Sequence, residues 1–171
     1  HATKTAIETA AKTITKIPVI MLTGPSGYGK TTVARIFASI ILENNINDFN
    51  FKEVNAADQR GIDDTRNIVA FISSKSLFVH GKKVVILNEA QQLTDAAQNC
   101  LLSPMEDNDK SCFIFTTTDP DKIIKTIKTR AVTIPIIPFN PTQDADDLHN
   151  VKEYLHSILS EENYVMSEDL L

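Results

Sequence analysis

The sequence predicts an α/β fold with a five-stranded, mostly parallel sheet that helices cover on both faces. Five short apolar runs alternate along the chain with segments whose apolar residues recur at helical spacing. Most of these runs are apolar throughout and rich in β-branched residues, as is typical of parallel strands buried on both faces. The chain has 171 residues, of which 42% are hydrophobic, so it is long enough for one domain with a sizeable core.

The predicted elements alternate between helix and strand over most of the chain. A helix with one apolar face comes first, over residues 2–15. The predicted strands cover 17–22, 51–55, 83–87, 112–116 and 131–136. The predicted helices between them cover 30–43, 62–74 and 94–106, and Thr94 is placed to cap the last of these.

A change of composition follows the fifth strand. Residues 135–147 contain three prolines and end in acidic residues, which is typical of a linker. An amphipathic helix is predicted beyond it, over 148–159. We therefore predict an α/β domain over residues 1–136, and a linker with the start of a small helical domain over 137–171.

Composition narrows the classes of partner. The net charge of −5 gives no global electrostatic argument for nucleic-acid binding, although it leaves room for a local basic patch. No apolar run is long enough to span a membrane, and we expect neither a signal peptide nor a membrane partner. Cys100 and Cys112 form neither a metal-ligand spacing nor a disulfide framework, which fits a reducing cytoplasm.

The stretch "LTGPSGYGKTTVARIF" carries the strongest chemical signal. It fits the phosphate-loop pattern G-x-x-x-x-G-K-[ST], and it lies between a predicted strand and a predicted helix, as the pattern requires. We expect Lys30 to reach the β and γ phosphates of ATP and the Thr31 hydroxyl to bind Mg²⁺. A glycine-rich turn with a surface lysine is the alternative. The predicted nucleotide-binding residues are Gly24, Pro25, Ser26, Gly27, Tyr28, Gly29, Lys30, Thr31 and Thr32.

A second motif, "KKVVILNEAQQLT", ends an apolar strand in Asn88 and Glu89. In phosphate-loop ATPases such a strand ends in an aspartate that holds the water shell of Mg²⁺ and a glutamate that polarises the attacking water. Glu89 is the predicted catalytic carboxylate, although a solvated acid at a strand end is the alternative. Asn88 lacks the charge expected of a Mg²⁺ residue, so hydrolysis is either naturally weakened or blocked by design. Aspartate at position 88 is expected to raise hydrolysis.

Three further segments resemble clamp-loader subunits, which are AAA+ ATPases. "VNAADQRGIDDTRNIV" (54–69) resembles replication factor C small subunits and the gamma/tau subunit of DNA polymerase III. "LTDAAQNCLLSPMED" (93–107) and "FIFTTTDPDKIIKTIKTRAVT" (113–133) resemble gamma/tau segments in the same order. The resemblance implies five parallel strands, then a three-helix lid and a collar domain.

The resemblance also implies roles for single residues. Thr118 matches the sensor position that orients the water or senses the γ-phosphate. Arg130 matches an arginine finger, which acts on the nucleotide of a neighbouring subunit. Arg60 and Arg66 match positions that track DNA phosphates, although ion pairs within the domain are the alternative for both.

As a whole, the resemblance implies an ATP-hydrolysing subunit of a ring, pentameric in this family, that loads a sliding clamp onto primer–template DNA. The expected location is cytoplasmic, or nuclear in a eukaryote. A stator-like subunit that binds nucleotide but hydrolyses it weakly is one alternative, because of Asn88. Another AAA+ machine, such as a branch-migration motor, is a second, although the Arg-Gly-Ile and Thr-Thr-Asp-Pro segments argue against it.

Overall fold

The computed structural model describes residues 18–74, 82–106 and 111–136. Within them, five strands form one sheet in the order β2-β3-β4-β1-β5, and every neighbouring pair is parallel. The strands are β1 (Val19–Thr23), β2 (Phe51–Asn55), β3 (Lys83–Asn88), β4 (Ser111–Thr117) and β5 (Val132–Pro135). The predicted parallel α/β sheet is confirmed.

The helices cover both faces of this sheet. They are α1 (Lys30–Ile41), α2 (Ile62–Ser73), α3 (Asp95–Cys100), α4 (Leu102–Met105) and α5 (Lys125–Lys128), with 3₁₀ turns at Ala90–Gln92 and Pro120–Lys122. Successive residues of β1 point to opposite faces, so Ile20 packs with Phe37 of α1 while Met21 packs with Ile68 of α2. Strands β1, β3 and β4 are therefore apolar on both sides.

The prediction of one continuous helix over 94–106 is wrong. The predicted cap is present, since Ala97 N donates to Thr94 Oγ1 at 3.2 Å. The helix nevertheless ends at Cys100, and a separate short helix begins at Leu102. Pro104 has no N–H to donate to the carbonyl of Cys100, and it is tolerated here because it lies in the first turn of the new helix.

Other boundaries differ by a few residues. Helix α1 ends at Ile41 rather than 43, and Glu43 and Asn44 take left-handed backbone angles, with φ of 52° and 60°. The predicted helices over 2–15 and 148–159, and all of the linker beyond residue 136, lie outside the described residues. All described residues belong to one compact unit, Ala2–Ile137, and the proposed domain division stays a prediction.

The strand order decides where the loops meet. Strand β1 lies between β4 and β5, and β4 lies beside β3, so the loops after β1, β3 and β4 leave the same edge of the sheet. The backbone joins these ends directly, since Gly24 N donates to Thr117 O at 3.3 Å and Ile136 N donates to Thr23 O at 2.7 Å. Ligands of open parallel sheets bind at this edge, at the point where the strand order reverses.

A buried lysine fixes helix α2 to the sheet. Lys83 begins β3 and is only 3% exposed. Its Nζ donates to Phe71 O, Ser74 O and Ser74 Oγ at the end of α2, and it lies 5.0 Å from the centre of the Phe71 ring. A cation at this position satisfies helix carbonyls that have no partner within the helix and complements the negative end of its dipole.

Replacing Lys83 with Met should therefore destabilise the fold while keeping the length of the side chain. We expect a loss of about 1–3 kcal/mol in the free energy of unfolding, because the carbonyls at the end of α2 lose a buried donor. Urea denaturation measures this, with Lys122→Met as the control, since that lysine is 62% exposed. Equal midpoints for the two variants would contradict this role.

Candidate functional site

The glycine-rich loop after β1 takes a conformation that depends on its glycines. Gly24, Gly27 and Gly29 have positive φ, with values of 150°, 83° and 78°. A Cβ on Gly24 would lie 2.4 Å from Ile136 O, so the close approach of β5 admits only glycine there. Gly29 is the residue just before α1, so the loop turns directly into the helix N-terminus.

Lys30 is the first residue of α1, directly after this loop. It is 5% exposed, and its Nζ donates to Pro25 O at 2.8 Å across the loop. The ammonium group and the N-terminal end of the 12-residue helix α1 both place positive charge at the same point. Residues 25–29 are exposed, so an anion can approach from solvent. The arrangement is suited to binding phosphate.

Asn88 connects three other elements beside this loop. Its Oδ1 accepts from Thr31 Oγ1 at 3.0 Å and from Thr116 Oγ1 at 3.1 Å. Its Nδ2 donates to Glu53 Oε1 at 2.7 Å. The two predicted Mg²⁺ residues, Thr31 and Asn88, are therefore in direct contact.

The sequence-based reasoning missed Glu53 and its partner Arg35. Arg35 Nε and Nη2 donate to the two Glu53 oxygens, each at 2.9 Å. The hydrogen bond and the charge of Glu53 raise the pKa of Arg35. Glu53 is the acidic residue of a strand that otherwise alternates as expected, but its role depends on the pairing of β2 with β3, which residue spacing does not reveal.

Glu89 and Thr118 are brought together by a second residue that the sequence reasoning missed. Gln91 Nε2 donates to Glu89 Oε2 at 2.7 Å and to Thr118 Oγ1 at 2.9 Å, and its Oε1 accepts from Thr117 Oγ1 at 2.8 Å. Glu89 has a left-handed backbone conformation, with φ of 52°, and it directly precedes the 3₁₀ turn that contains Gln91. The only sign of this role in the sequence is that Gln91 lies two residues after Glu89.

The three predicted arginines lie apart from these contacts. Arg130 follows α5, and it donates to Thr126 O at 3.0 Å and to Glu106 Oε1 at 3.2 Å. Arg66 on α2 is 65% exposed and pairs with Asp63 at 2.6 Å, which is the kind of ion pair that the alternative reading predicted. Arg60 lies exposed in the loop before α2.

The donor atoms beside the loop suit a hard cation. Thr31, Asn88 and Glu53 offer only oxygen atoms to a metal, and Mg²⁺ bound with a nucleotide needs only one or two protein groups because it keeps several waters. No group of three or more His, Cys, Asp or Glu side chains in the described ranges forms a metal cage of its own. The residues therefore fit Mg²⁺ that arrives with a nucleotide.

Two further observations concern a buried cysteine and the length of the helices. Burial raises the pKa of the Cys112 thiol to about 12, so this cysteine stays protonated and unreactive at neutral pH. Among the helices that the structure describes, none combines the length and the apolar character needed to cross a membrane.

The family described as "DNA polymerase III, delta subunit" matches residues 39–140. This match covers more than half of the chain. The chain belongs to this family. The resemblance to clamp-loader subunits that the sequence motifs indicated is thereby confirmed.

Similar proteins of other organisms include several replication factor C subunits. The chain is 32% identical over 154 residues to a replication factor C small subunit of Natronomonas pharaonis, covering 90% of this chain and 45% of that protein. It is 36% identical over 139 residues to the same subunit of Methanococcus vannielii, covering 80% and 43%. It is 33% identical over 158 residues to replication factor C subunit 5 of Mus musculus, covering 90% and 44%. This family member thus spans less than half the length of these relatives.

Solved structures show the same fold at lower identity. A DNA polymerase III gamma subunit-related protein of Thermotoga maritima superposes with a TM-score of 0.68 at 20% identity, covering 81% of this chain and 48% of that one. RuvB of the same organism superposes with a TM-score of 0.60 at 20% identity, covering 81% and 45%. These two structures confirm the predicted α/β fold of this delta-subunit family member.

Gln91 should stabilise the site of this family member as well as order it. Thr117 is fully buried, and its hydroxyl donates a hydrogen bond to Gln91 Oε1. Gln91→Ala should therefore cost about 1–3 kcal/mol in unfolding free energy, because a buried hydroxyl loses its acceptor. Gln92→Ala, in the same turn but exposed, is the matched control and should change stability by less than about 0.5 kcal/mol. Equal losses in denaturant titrations would show that the hydrogen bond carries no stability.

Proposed function

We propose that this chain is the nucleotide-binding part of a clamp-loader ATPase subunit. It binds ATP with Mg²⁺ at residues 24–32, hydrolyses it, and works in a ring of subunits that places a sliding clamp on primer–template DNA. The main support for this proposal is the buried Lys30 side chain, which contacts the glycine loop at the sheet edge where Thr31, Asn88 and Glu89 also lie. Membership of the family supports the same proposal.

The residues divide the proposed reaction between them. Lys30 and the helix N-terminus offset the charge of the β and γ phosphates. Glu89 accepts a hydrogen bond from the attacking water and polarises it, and Thr118 orients the water or the γ-phosphate. Gln91 keeps these two side chains in one arrangement. Thr31 and Asn88 would hold Mg²⁺, Asn88 through a water molecule, and the ion would supply positive charge at the phosphate oxygens.

Arg130 acts on a neighbouring subunit in this proposal. It lies at the end of α5 with Glu106 and Thr126 as its partners. The Arg130 side chain is 37% exposed and pairs with an exposed acid, so its guanidinium can exchange that acid for a phosphate at modest cost. Arg60 and Arg66 are proposed to face DNA phosphates, where the Asp63 pair of Arg66 would have to open.

The alternatives differ in what supports them. Asn88 favours a stator-like subunit that binds nucleotide and hydrolyses it weakly, and this stays our second candidate. A branch-migration motor has only a fold-level likeness to RuvB at 20% identity in its support. The cytoplasmic or nuclear location, the pentameric ring, and the clamp and DNA partners stay proposals.

ATP binding should depend on Lys30. Lys30→Ala removes the buried charge from the loop, so affinity for ATP should fall at least about tenfold, or about 1.4 kcal/mol. Calorimetric titration with ATP measures the loss. The control is Lys52→Ala, since Lys52 lies on β2 and stacks over Phe71 on α2 instead of contacting the loop. Unchanged affinity after the loss of Lys30 would contradict a phosphate site at this loop.

Arg130 should matter only between subunits. Arg130→Ala should leave ATP binding by the isolated chain intact, because its partners lie outside the loop. In the assembled complex it should remove hydrolysis at the neighbouring site, by roughly a thousandfold as for other arginine fingers. The measurement is turnover in rings that mix Arg130→Ala subunits with wild-type subunits, so that a subunit without Arg130 sits beside a neighbour with an intact phosphate loop.

Two outcomes separate the possible roles of Arg130. Glu106→Gln is the control, because it frees Arg130 without removing its charge, and hydrolysis in the ring should persist or increase. If Arg130→Ala abolishes ATP binding by the isolated chain, then the arginine acts within its own subunit, and its assignment as a finger in trans is wrong.

A further inference from the structure

The two sides of the Asn88 amide face chemically different partners, and this difference explains why a neutral residue can occupy position 88. On one side, Thr31 and Thr116 offer hydroxyl groups, which can donate or accept. On the other side stands the Glu53 carboxylate, which can only accept. The amide must therefore turn its NH₂ group toward Glu53 and its oxygen toward Thr31. Glu53 is the group that decides this orientation.

Glu53 is itself held in place. Arg35 donates to both of its oxygens, and the Glu53 side chain is only 23% exposed while Arg35 is 62% exposed. The carboxylate is thus fixed between an arginine on the solvent side and the amide on the inner side. A chain of hydrogen bonds runs from Arg35 through Glu53 and Asn88 to Thr31, on the first turn of α1.

The sequence alone led us to expect that aspartate at position 88 raises hydrolysis, but an aspartate there does not fit this chain of hydrogen bonds. It would place a carboxylate oxygen at the 2.7 Å contact with Glu53 Oε1, with no hydrogen between two negative groups. The amide is the group of this shape that donates to Glu53 and accepts from Thr31 at once. The identity of residue 88 is therefore coupled to the identity of residue 53.

We propose that Glu53 is a positioning residue of the nucleotide site and the acidic partner that makes an asparagine functional at position 88. Glu53 orients the Asn88 oxygen toward Thr31, on the side where Mg²⁺ binds in the proposed function. The acid expected at the end of β3 is thus provided one strand away, on β2. This inference rests on the proposed function for its Mg²⁺ part, but the pairing itself stands on geometry.

The reversed pair gives the proposal a sharp test. With Glu53→Gln and Asn88→Asp together, the new amide nitrogen takes the place of Glu53 Oε1 and donates to the new carboxylate at 88, while the amide oxygen takes the place of Oε2 and still accepts from Arg35 Nε. The hydrogen bond from Arg35 Nη2 to Oε1 is lost, and it is lost equally in Glu53→Gln alone. The carboxylate at 88 still accepts from Thr31 and Thr116. The double variant therefore keeps a hydrogen bond at each contact of Asn88, whereas Asn88→Asp alone sets two acids against each other.

The experiment is a double-mutant cycle on the full chain, with two readouts. The first is the ratio of the ATP dissociation constants in EDTA and in Mg²⁺. We expect Asn88→Asp to lower this ratio at least about tenfold, a coupling of about 1.4 kcal/mol, and the double variant to restore it. The second readout is the melting temperature without nucleotide, which should fall for Asn88→Asp, whereas adding Asn88→Asp to Glu53→Gln should cause no further fall.

The controls separate this proposal from the proposed function. Glu43→Gln removes an exposed acid just after α1 and should change neither readout. Lys30→Ala should abolish the Mg²⁺-dependent binding but leave the melting cycle as before. If the wild-type chain binds no ATP, the proposed function fails, and the melting cycle still decides whether Glu53 and Asn88 are coupled.

Additive effects in the melting cycle would overturn the pairing of Glu53 with Asn88. If Asn88→Asp raises Mg²⁺-dependent affinity equally with glutamate or glutamine at position 53, then residue 88 acts independently and Glu53 has no positioning role. If both variants with aspartate at 88 fail to fold, the Asn88 side-chain amide signal in NMR decides instead. It should shift on Glu53→Gln, and an unmoved signal would overturn the proposal.

Discussion

The hydrogen bond between Thr31 Oγ1 and Asn88 Oδ1 joins the two halves of the site. Thr31 belongs to the first turn of α1, directly after the glycine loop, and Asn88 ends the strand next to β4. Through Asn88 the loop is also joined to Thr116 on β4 and to Glu53 on β2. One side-chain amide thus links α1, β2 and β4 to the end of β3.

Strand order makes this convergence possible. Because β1 lies beside β4 and β4 lies beside β3, the loops that follow them start within hydrogen-bond reach of one another. The parallel register places Asn55 opposite Asn88 and Thr23 opposite Thr117, so their ends are level. A sheet of this kind gives a phosphate loop a rigid support, while the loop itself stays exposed to ligand.

Much of this could be predicted from residue patterns. Apolar, β-branched runs predicted four of the strands, because parallel strands buried on both faces need apolar residues at every position, and alternation of apolar and polar residues predicted β2. The phosphate loop was predicted because its glycines and Lys30 form a pattern with a fixed spacing. The break at Leu101 was missed because an apolar face continues across it, and only Pro104 signals the interruption.

The supporting residues of the site could not be predicted in the same way. Gln91 reaches Glu89 only because Glu89 adopts a left-handed backbone conformation, and periodicity does not reveal that. Glu53 meets Asn88 only through the register of β2 on β3. Both residues act through contacts between elements distant in sequence, so their roles depend on the assembled sheet rather than on local spacing.

The most direct measurement of the central claim is a crystal structure of the chain with Mg²⁺ and a non-hydrolysable ATP analogue. The account predicts that the backbone over residues 24–31 keeps its present conformation while Lys30 Nζ leaves Pro25 O for the β and γ phosphates. It also predicts that Asn88 keeps its amide toward Glu53. Nucleotide bound elsewhere, or a loop rebuilt around it with Lys30 still on Pro25, would contradict a preformed nucleotide site.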